Sequence, residues 1–311
     1  MVINMLTSET QLKAASIKDK LRHSLVSYAM LLPYMILFFM LTLLPVISAV
    51  VLSFTDFNML SAPVFAGIEN YKRMFLQDQV FFTVLKNTLL FALFTGPLSY
   101  VLSFCFAWLI NELGQKLRTI LTFIFYAPVL AGATYMVWQF LFSGDQYGFI
   151  NSSLMQLGIL NEPVKWLSNT DTVMTVLIIV QLWSSMGVGF LAFIAGFQGM
   201  DKSFSEAGSI DGIKNRWQEL CYITIPQMAP QLMFGAVMQI SASFGVAQII
   251  ISLAGFPTTN YSADTIVTYI MDIGTVRFEM GYACAIATFL FVLMILVNKI
   301  ISSILVKYRD D

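Results

Sequence analysis

Polar side chains within the apolar segments of this sequence are the residues best suited to bind a ligand. Gln239, Ser243 and Phe244 have i, i+4 and i+5 spacing, so one helix face would present an amide, a hydroxyl and an aromatic ring. Such a set can hydrogen-bond to and stack on a neutral polar solute. The further candidates are Gln181, Trp183, Ser184, Ser185, Ser241 and Gln248. For each of them, packing between membrane helices stays open as the alternative role.

Catalytic chemistry has little support in the sequence. The 311 residues include one histidine, His23, which follows Arg22, and three scattered cysteines, Cys105, Cys221 and Cys284. Histidine usually supplies the base or the metal ligand in catalysis, and this cysteine spacing fits neither a disulfide framework nor a zinc site. Neither an H-E-x-x-H nor a G-x-x-x-x-G-K-[ST] motif occurs. We therefore expect no enzyme activity, no nucleotide site, no metal and no cofactor in this chain.

The composition excludes a water-soluble protein and a nucleic-acid-binding protein. Apolar residues make up 58% of the chain and charged residues 11%, whereas soluble domains contain about 25% charged residues. Because 17 Lys and Arg are balanced by 18 Asp and Glu, no basic excess is available to neutralise a phosphate backbone. Six charge-poor runs have the length that a helix needs to cross a bilayer. They are residues 23–55, 87–111, 119–144, 172–200, 220–263 and 280–298.

These runs predict an all-α integral membrane protein with six transmembrane helices and both termini in the cytoplasm. The fifth run exceeds one span, and Pro226, Pro230 and the turn-forming residues 255–260 limit its helix to about residues 231–254. The predicted parts are a cytoplasmic N-terminal segment 1–27, a transmembrane domain 28–303 and a cytoplasmic tail 304–311. With this topology 12 of the 17 basic residues lie inside, as the positive-inside rule requires. They are Lys13, Lys18, Lys20, Arg22, Lys116, Arg118, Lys202, Lys214, Arg216, Lys299, Lys307 and Arg309.

The predicted spans contain no Asp, Glu, Lys or Arg. Transporters driven by protons or ions usually carry such residues within the membrane, so a proton-driven carrier is disfavoured. A sodium site built from main-chain carbonyl groups would leave no trace of this kind. The same lack of charge indicates that a solute crossing these spans is neutral.

A long cytoplasmic loop, about residues 201–226, carries the pattern of two short helices. The sequence from Ser203 to Glu206 is a capping box, which predicts that Ser203 starts the first helix. Gly212 is placed to end it. Asn215 predicts the start of a second helix, which Pro226 is expected to stop. An apolar side of this element would suit a groove on a soluble partner or the lipid headgroups. Its residues are Phe204, Ile210, Trp217 and Leu220.

This loop resembles the EAA loop of the membrane-spanning subunits of bacterial binding-protein-dependent ABC importers. The family pattern is E-A-A, three residues, G, nine residues, I, one residue and L-P. Its counterparts here are Glu206-Ala207-Gly208, Asp211-Gly212 and Ile223-Thr224-Ile225-Pro226. Gly208 replaces the second alanine, Ile225 replaces the leucine, and ten residues rather than nine separate Gly212 from Ile223. The extra residue affects the register of the second helix rather than the first.

A second stretch resembles the carbohydrate branch of that family, the maltose-type oligosaccharide permeases. It consists of Leu32-Pro33-Tyr34, Pro45, Leu52-Ser53-Phe54-Thr55 and Phe65-Ala66-Gly67-Ile68-Glu69-Asn70-Tyr71. The combined resemblance runs from about residue 28 to the C-terminus.

The resemblance implies a permease subunit of the bacterial cytoplasmic membrane, forming half of the translocation pathway for a neutral sugar or oligosaccharide. Implied partners are a second homologous permease subunit, an ABC ATPase dimer that binds ATP and magnesium, an extracytoplasmic solute-binding protein and membrane lipid. The external residues 55–86, 144–171 and 255–279 would receive the binding protein. ATP-driven alternating access would be transmitted through the loop. The loop residues that match the family are Glu206, Ala207, Gly208, Asp211, Gly212 and Pro226.

Three other functions stay open at the level of the sequence. The first is a stand-alone facilitator or sodium-coupled carrier of a polar neutral solute. The second is an integral membrane enzyme, which the lack of histidine in the spans disfavours. The third is a purely structural scaffold, which would leave the capped loop helices without a role.

Overall fold

The structure is a computed structural model that describes residues 25, 27–130 and 135–310. Most of the predicted segment 1–27, with its four basic residues and His23, lies outside the described residues, and so do the side chains of Lys202, Lys307 and Arg309. The chain divides into two units, Met1–Leu52 and Ser53–Asp311. The first unit contains helix α1, Ser27–Leu52, whose apolar side chains are exposed.

The second unit is a helical bundle with one small hairpin. Strands β1 (Thr55–Asp56) and β2 (Val64–Phe65) are antiparallel. The helices are α2 (Glu69–Leu76), α3 (Gln79–Asn111), α4 (Gln115–Leu130), α5 (Tyr135–Leu141), α6 (Phe149–Gln156), α7 (Val173–Trp183), α8 (Val188–Gln198), α9 (Lys202–Ile210), α10 (Arg216–Glu219), α11 (Ile225–Gln227), α12 (Ala229–Phe244), α13 (Gln248–Ala254), α14 (Ile266–Met271) and α15 (Met280–Asp310). π-helical turns at Leu220–Thr224 and Asp272–Val276 follow α10 and α14, and a 3-10 turn occupies Thr259–Tyr261.

The helices confirm the predicted all-α membrane fold. Four stretches of the described chain are long and apolar enough to span a bilayer, namely Ser27–Leu52, Gln79–Asn111, Val173–Gln198 and Met280–Ser303. The count rises to six when two bent pairs, α4 with α5 and α12 with α13, are each taken as one span. We number the spans from one to six on that basis.

The predicted start of the second span is wrong, because a local cap overrides the charge-poor run. The second span begins at Gln79 rather than near residue 87, since the Asp78 carboxylate accepts a hydrogen bond from the Phe81 amide at 3.0 Å. The fifth span runs from Ala229 to Ala254, close to the predicted limits of about 231–254. Pro230 lies in its first turn, where a missing amide hydrogen has no cost. The span is bent by 41° between α12, which ends at Phe244, and α13.

Helix α3 is the central element of the bundle. Its Phe81 and Val84 pack in a cluster with α14 and α15, whereas Phe91 packs in a second cluster with α7 and α13. Ala107 and Ile110 belong to a third cluster formed mainly with α8. This 33-residue helix contributes to three separate cores, and Pro97 in its middle removes one main-chain hydrogen bond of the helix.

Two main-chain segments meet at the start of α15. The Gly281 amide donates to the carbonyl oxygen of Phe57 at 2.9 Å. A Cβ atom at position 281 would overlap the carbonyl oxygen of Thr55. The hairpin therefore lies directly on the first turn of the sixth span, at the end of the bundle that also carries α2 and α14.

Candidate functional site

The loop between the fourth and fifth spans, residues 199–228, is the candidate coupling element and is called the 4–5 loop below. Its first helix, α9, begins at Lys202 because the Asp201 carboxylate accepts a hydrogen bond from the Ser203 amide at 2.9 Å. The predicted capping box with Ser203 as the cap is therefore wrong. Asp201 is an equally good capping residue and adds its negative charge at the positive end of the helix. Hydrogen bonds from the Ser203 amide and hydroxyl lower the pKa of Asp201.

The predicted end of α9 is confirmed. Gly212 has φ +99°, a conformation that other residues rarely adopt. The Ile213 amide donates to the Gly208 carbonyl at 3.0 Å, and the Asp211 amide donates to that of Ala207 at 3.0 Å. The bond from Ile213 to Gly208, which closes the longer ring, is the six-to-one hydrogen bond of a Schellman motif. Gly212 thus allows the chain to turn back at once into the second helix.

The predicted second start at Asn215 is also confirmed. The Asn215 side-chain oxygen accepts from the Gln218 amide at 2.8 Å, and the Gln218 side chain accepts from the Lys214 amide at 2.9 Å. The predicted stop at Pro226 is wrong, because helical structure continues to Gln227. Pro226 follows a π-helical turn and sits in the first turn of α11, where its lack of an amide hydrogen is tolerated.

The outer surface of the 4–5 loop is open to solvent. Glu206 and Ala207 are exposed on α9, and so are Phe204, Ile210 and Trp217, with Ile210 86% exposed. Leu220 does not join this apolar side as predicted, since it is 3% exposed and packs inward from the π-helical turn. The exposed part is therefore α9 with the start of α10.

Gly208 lies on the opposite, buried side of α9. A Cβ atom there would overlap the Cδ1 atom of Ile223 and would lie 3.0 Å from that of Ile213. The absence of a side chain at position 208 is therefore what allows α9 to rest on the second half of the 4–5 loop.

A chain of polar contacts joins the 4–5 loop to the end of α3. The Arg216 guanidinium binds Glu219 at 2.8 Å and Glu112 at 3.2 Å. The other carboxylate oxygen of Glu219 accepts a hydrogen bond from the Ser205 hydroxyl of α9. This hydrogen bond, and then Arg216, lower the pKa of Glu219. Next to these contacts the rings of Trp108 and Trp217 meet edge to face, 6.2 Å apart.

The predicted solute-path residues fall into two groups. Gln239, Ser243 and Phe244 are buried, although they line a largely apolar cavity of about 360 Å³ between α3, α12 and α15. The Gln239 amide donates to the Ser185 carbonyl at 3.1 Å and to the Ser103 hydroxyl at 3.2 Å. The Ser243 hydroxyl donates to the Ile240 carbonyl at 2.9 Å. These polar groups are thus already bonded within the bundle.

The second group lies where the fourth and fifth spans are interrupted. Trp183, at the end of α7, is 44% exposed and contacts the Trp138 ring edge to face at 5.3 Å. Gln248, at the start of α13, is exposed and donates to the Ser252 hydroxyl at 3.2 Å. Gln181 and Ser184 are half-buried beside the first of these breaks. Interrupted helices with amide and aromatic groups are typical of solute sites in transporters.

At the end of the bundle away from the 4–5 loop, polar side chains that the sequence analysis did not identify bind one another. One oxygen of the Asp78 carboxylate accepts from both the Tyr269 and Tyr282 hydroxyl groups, each at 2.6 Å. Arg73 binds Glu279 at 2.6 Å, and its guanidinium lies 4.1 Å from the centre of the Tyr282 ring. Within the described residues there is no group of three His, Cys, Asp or Glu side chains that could hold a metal ion.

Comparison with known proteins decides the family. Residues 100–310 match the family described as "Binding-protein-dependent transport system inner membrane component". The chain belongs to this family. The predicted family is thereby confirmed, and the chain is a membrane-spanning permease subunit of the ABC transport class.

Individual relatives of this permease cover nearly its whole length. It is 33% identical over 301 residues to the probable ABC transporter permease protein YesP of Bacillus subtilis, with 93% of this chain and 94% of the relative covered. It is 28% identical to the arabinooligosaccharides transport system permease protein AraP of Halalkalibacterium halodurans, covering 88% and 85%. It is 29% identical to the lactose transport system permease protein LacF of Rhizobium radiobacter, covering 82% and 84%.

A solved structure has the same fold. The crystal structure of a bacterial ABC transporter for import of the acidic polysaccharide alginate includes a chain that superimposes on this permease with a TM-score of 0.73. The match covers 94% of this chain and 98% of that one, at 23% sequence identity. At this identity the likeness concerns the arrangement of the helices.

Proposed function

We propose that this permease subunit forms half of the pathway by which an ATP-driven importer carries a neutral sugar or oligosaccharide across the bacterial cytoplasmic membrane. The observation that carries the proposal is α9, an exposed and firmly capped helix that connects the fourth and fifth spans. The relatives named for arabinooligosaccharide and lactose transport support the choice of a sugar. The charge-poor runs offer no charged group that would pair with an ionic solute, and the charged residues of the spans, Lys86, Lys116, Arg118 and Lys299, lie outside those runs.

The partners of this permease follow from what the chain lacks. It has no motif for binding nucleotide phosphates, so the work of transport must enter through another subunit. In this proposal an ABC ATPase dimer with bound ATP and magnesium receives α9, and a second permease subunit completes the pathway. An extracytoplasmic binding protein delivers the sugar to residues 55–86, 144–171 and 255–279. The 4–5 loop and both termini then face the cytoplasm, in agreement with the positive-inside rule.

The proposed cycle is alternating access. Closure of the ATPase dimer moves α9, and α9 moves the two spans that it joins, so that the cavity between the permease subunits opens to one side at a time. Glu206 is the proposed contact residue, because its side chain is exposed on α9 and lines the open cleft between α9 and the end of α3. Ala207, Gly208, Asp211, Gly212 and Pro226 shape the 4–5 loop around it.

The interrupted part of spans four and five is the proposed solute contact. Trp183 and Gln248 present an aromatic face and an amide that are open to solvent or to a second subunit. Sugars are bound by such combinations of ring stacking and hydrogen bonding. Gln239 and Ser243 are proposed to support this region from within, since their polar groups are bonded to the bundle.

The experiment is ATP-dependent uptake of labelled oligosaccharides by the permease reconstituted with its candidate partner subunits. Glu206→Ala and Glu206→Lys should abolish uptake and reduce co-purification of the ATPase, while membrane insertion stays normal. Lys116→Ala and Lys116→Glu are the matched controls, because Lys116 is an exposed charged residue outside the 4–5 loop and outside the segments proposed to receive the binding protein. Unchanged uptake and ATPase binding in both Glu206 variants would overturn the coupling role of Glu206.

The alternative function, a stand-alone or sodium-coupled carrier, predicts a different outcome. The purified chain alone would then move a polar neutral solute into liposomes without ATP, with or without a sodium gradient. Such transport would overturn the proposal of an ATP-driven importer.

A further inference from the structure

We infer that Arg216 is a positioning residue that fastens the 4–5 loop to α3, so that movement of α9 is passed to α3 as well as to the two spans that the loop joins. The inference rests on the proposed coupling function of the loop. It adds α3 as the element that receives the movement, and Arg216 with Glu112 and Glu219 as the side chains that transmit it.

The first support is a continuous chain of side-chain contacts. The two terminal nitrogens of Arg216 bind different carboxylates, Glu219 of the loop at 2.8 Å and Glu112 of α3 at 3.2 Å. Glu219 in turn accepts from Ser205 in the middle of α9. Each of these contacts includes a charged partner, and such hydrogen bonds are stronger and more directional than neutral ones. The rigid fork of an arginine suits this bridging role, which a lysine could not reproduce.

Exposure differs along this chain of contacts. The Glu219 side chain is 20% exposed, whereas those of Glu112 and Arg216 are 37% and 67% exposed. Water and salt screen exposed ion pairs, so the pair of Arg216 with Glu112 contributes modestly by itself. Glu219, which also accepts from Ser205, is less screened.

The second support is a parallel contact beside the first. Trp217, the residue after Arg216, meets the ring of Trp108 edge to face. Trp108 and Glu112 are four residues apart and therefore lie on the same face of α3. The 4–5 loop is thus attached to α3 at two neighbouring points, one apolar and one charged. Two points of attachment restrict rotation of the loop about either one.

The third support is the structure of α3 itself. With 33 residues it is roughly 50 Å long, and its side chains enter all three described core clusters. At its far end Asp78 binds the hydroxyl groups of Tyr269 in α14 and Tyr282 in α15. In this inference a displacement of the loop end of α3 is passed on through the core clusters that flank Pro97, towards the end of the bundle at which the binding protein is proposed to dock.

The test compares the amount of sugar imported per ATP hydrolysed in reconstituted transporters. Arg216→Ala and Glu112→Ala should each lower this ratio, by about two- to thirtyfold if they change the coupling free energy as coupling residues commonly do. ATP hydrolysis itself should persist. The double variant should be no worse than Arg216→Ala alone, because Arg216→Ala already removes the contact that Glu112→Ala removes. Lys214→Ala is the matched control, since it removes a positive charge from an exposed position two residues away.

A second measurement examines the attachment without transport. Arg216→Ala should increase amide hydrogen exchange over residues 203–214 of the purified chain, whereas Lys214→Ala should not. The inference is overturned if exchange is unchanged, if the sugar-to-ATP ratio falls no further than in the control, or if the two single effects add. Failure of the proposed function looks different, since wild-type transporters would then show no ATP-dependent uptake at all.

Discussion

The side-chain amide of Gln239 donates a hydrogen bond to the main-chain carbonyl of Ser185, 3.1 Å away, at the point where the fourth span leaves the helical conformation. The same amide reaches the Ser103 hydroxyl of α3. A carbonyl group released by a helix break must find a partner when water is absent. The Gly187 amide also donates to this carbonyl, at 2.8 Å. Gln239 adds a second donor and so links α3 and α12 to the break.

Gln239→Leu should therefore destabilise the bundle. The change removes the bonds to Ser103 and to the Ser185 carbonyl, although the Gly187 amide still donates to that carbonyl at 2.8 Å. We expect a loss of about 0.5–2 kcal/mol, the range for such bonds between membrane helices. The measurement is thermal unfolding in detergent followed by circular dichroism. A variant as stable as wild type would show that the bond at the break contributes nothing.

Gln248→Leu, the counterpart in the fifth span, should affect transport rather than stability. The Gln248 amide is exposed, and its bond to Ser252 is four residues away on the same helix. Its replacement should raise the KM for sugar uptake by roughly tenfold, as the loss of one hydrogen bond to a bound solute would. An unchanged KM, with normal stability, would remove Gln248 from the proposed solute contact.

Gly281→Ala should weaken the junction between the hairpin and the sixth span. The new Cβ atom would overlap the Thr55 carbonyl oxygen, which belongs to the main chain and cannot rotate away. Overpacking of this kind costs about 1–3 kcal/mol. Gly114→Ala is the matched control, because its Cβ would have no neighbour within 4 Å. Equal unfolding temperatures for the two variants would contradict the close contact.

Gly208→Ala should loosen the 4–5 loop, and a second change should repair it. The added methyl group would overlap the Cδ1 atom of Ile223. Ile223→Val removes that atom, so the double variant should regain the wild-type hydrogen-exchange protection of residues 203–214. If the single variant is fully protected, the two side chains do not constrain each other.

The 4–5 loop should lose stability in acid. The pKa of Glu219 is below its ordinary value of 4.5, chiefly because of the Ser205 hydrogen bond. The stabilisation is therefore complete above pH 4.5 and is lost as the pH falls through the lower folded-state value. Asp201 contributes in the same direction. Hydrogen exchange of the loop, corrected for its intrinsic pH dependence, should show this loss in wild type and a smaller one in Glu219→Gln.

The sequence predicted best those features that depend on neighbouring residues. Gly212 and Asn215 end one helix and start the next, and each acts through bonds to residues fewer than six positions away. The start of α9 was misplaced because Asp201 and Ser203 both have capping side chains. Which of them caps the helix depends on the direction that the chain takes after the end of α8, and tertiary packing sets that direction.

The role of polar residues inside the spans could not be read from the sequence. Gln239 has an amide side chain of the kind that can bind a polar solute. Its actual partners, Ser103 and Ser185, are 136 and 54 residues away in the sequence. The attachment of Arg216 to Glu112 likewise joins separate elements, whereas its pairing with Glu219 is local, at i, i+3 spacing. Both contacts exist only once α3, α8 and α12 have packed together.

The contacts of Asp78 have a consequence for the order in which the protein is made. Its two phenol donors, Tyr269 and Tyr282, lie 191 and 204 residues further along the chain. When the ribosome has delivered the second span to the membrane, neither tyrosine has yet been synthesised. The Asp78 carboxylate must therefore stay hydrated or bind other groups while three more spans are inserted. This end of the bundle is completed last, when the final helix arrives.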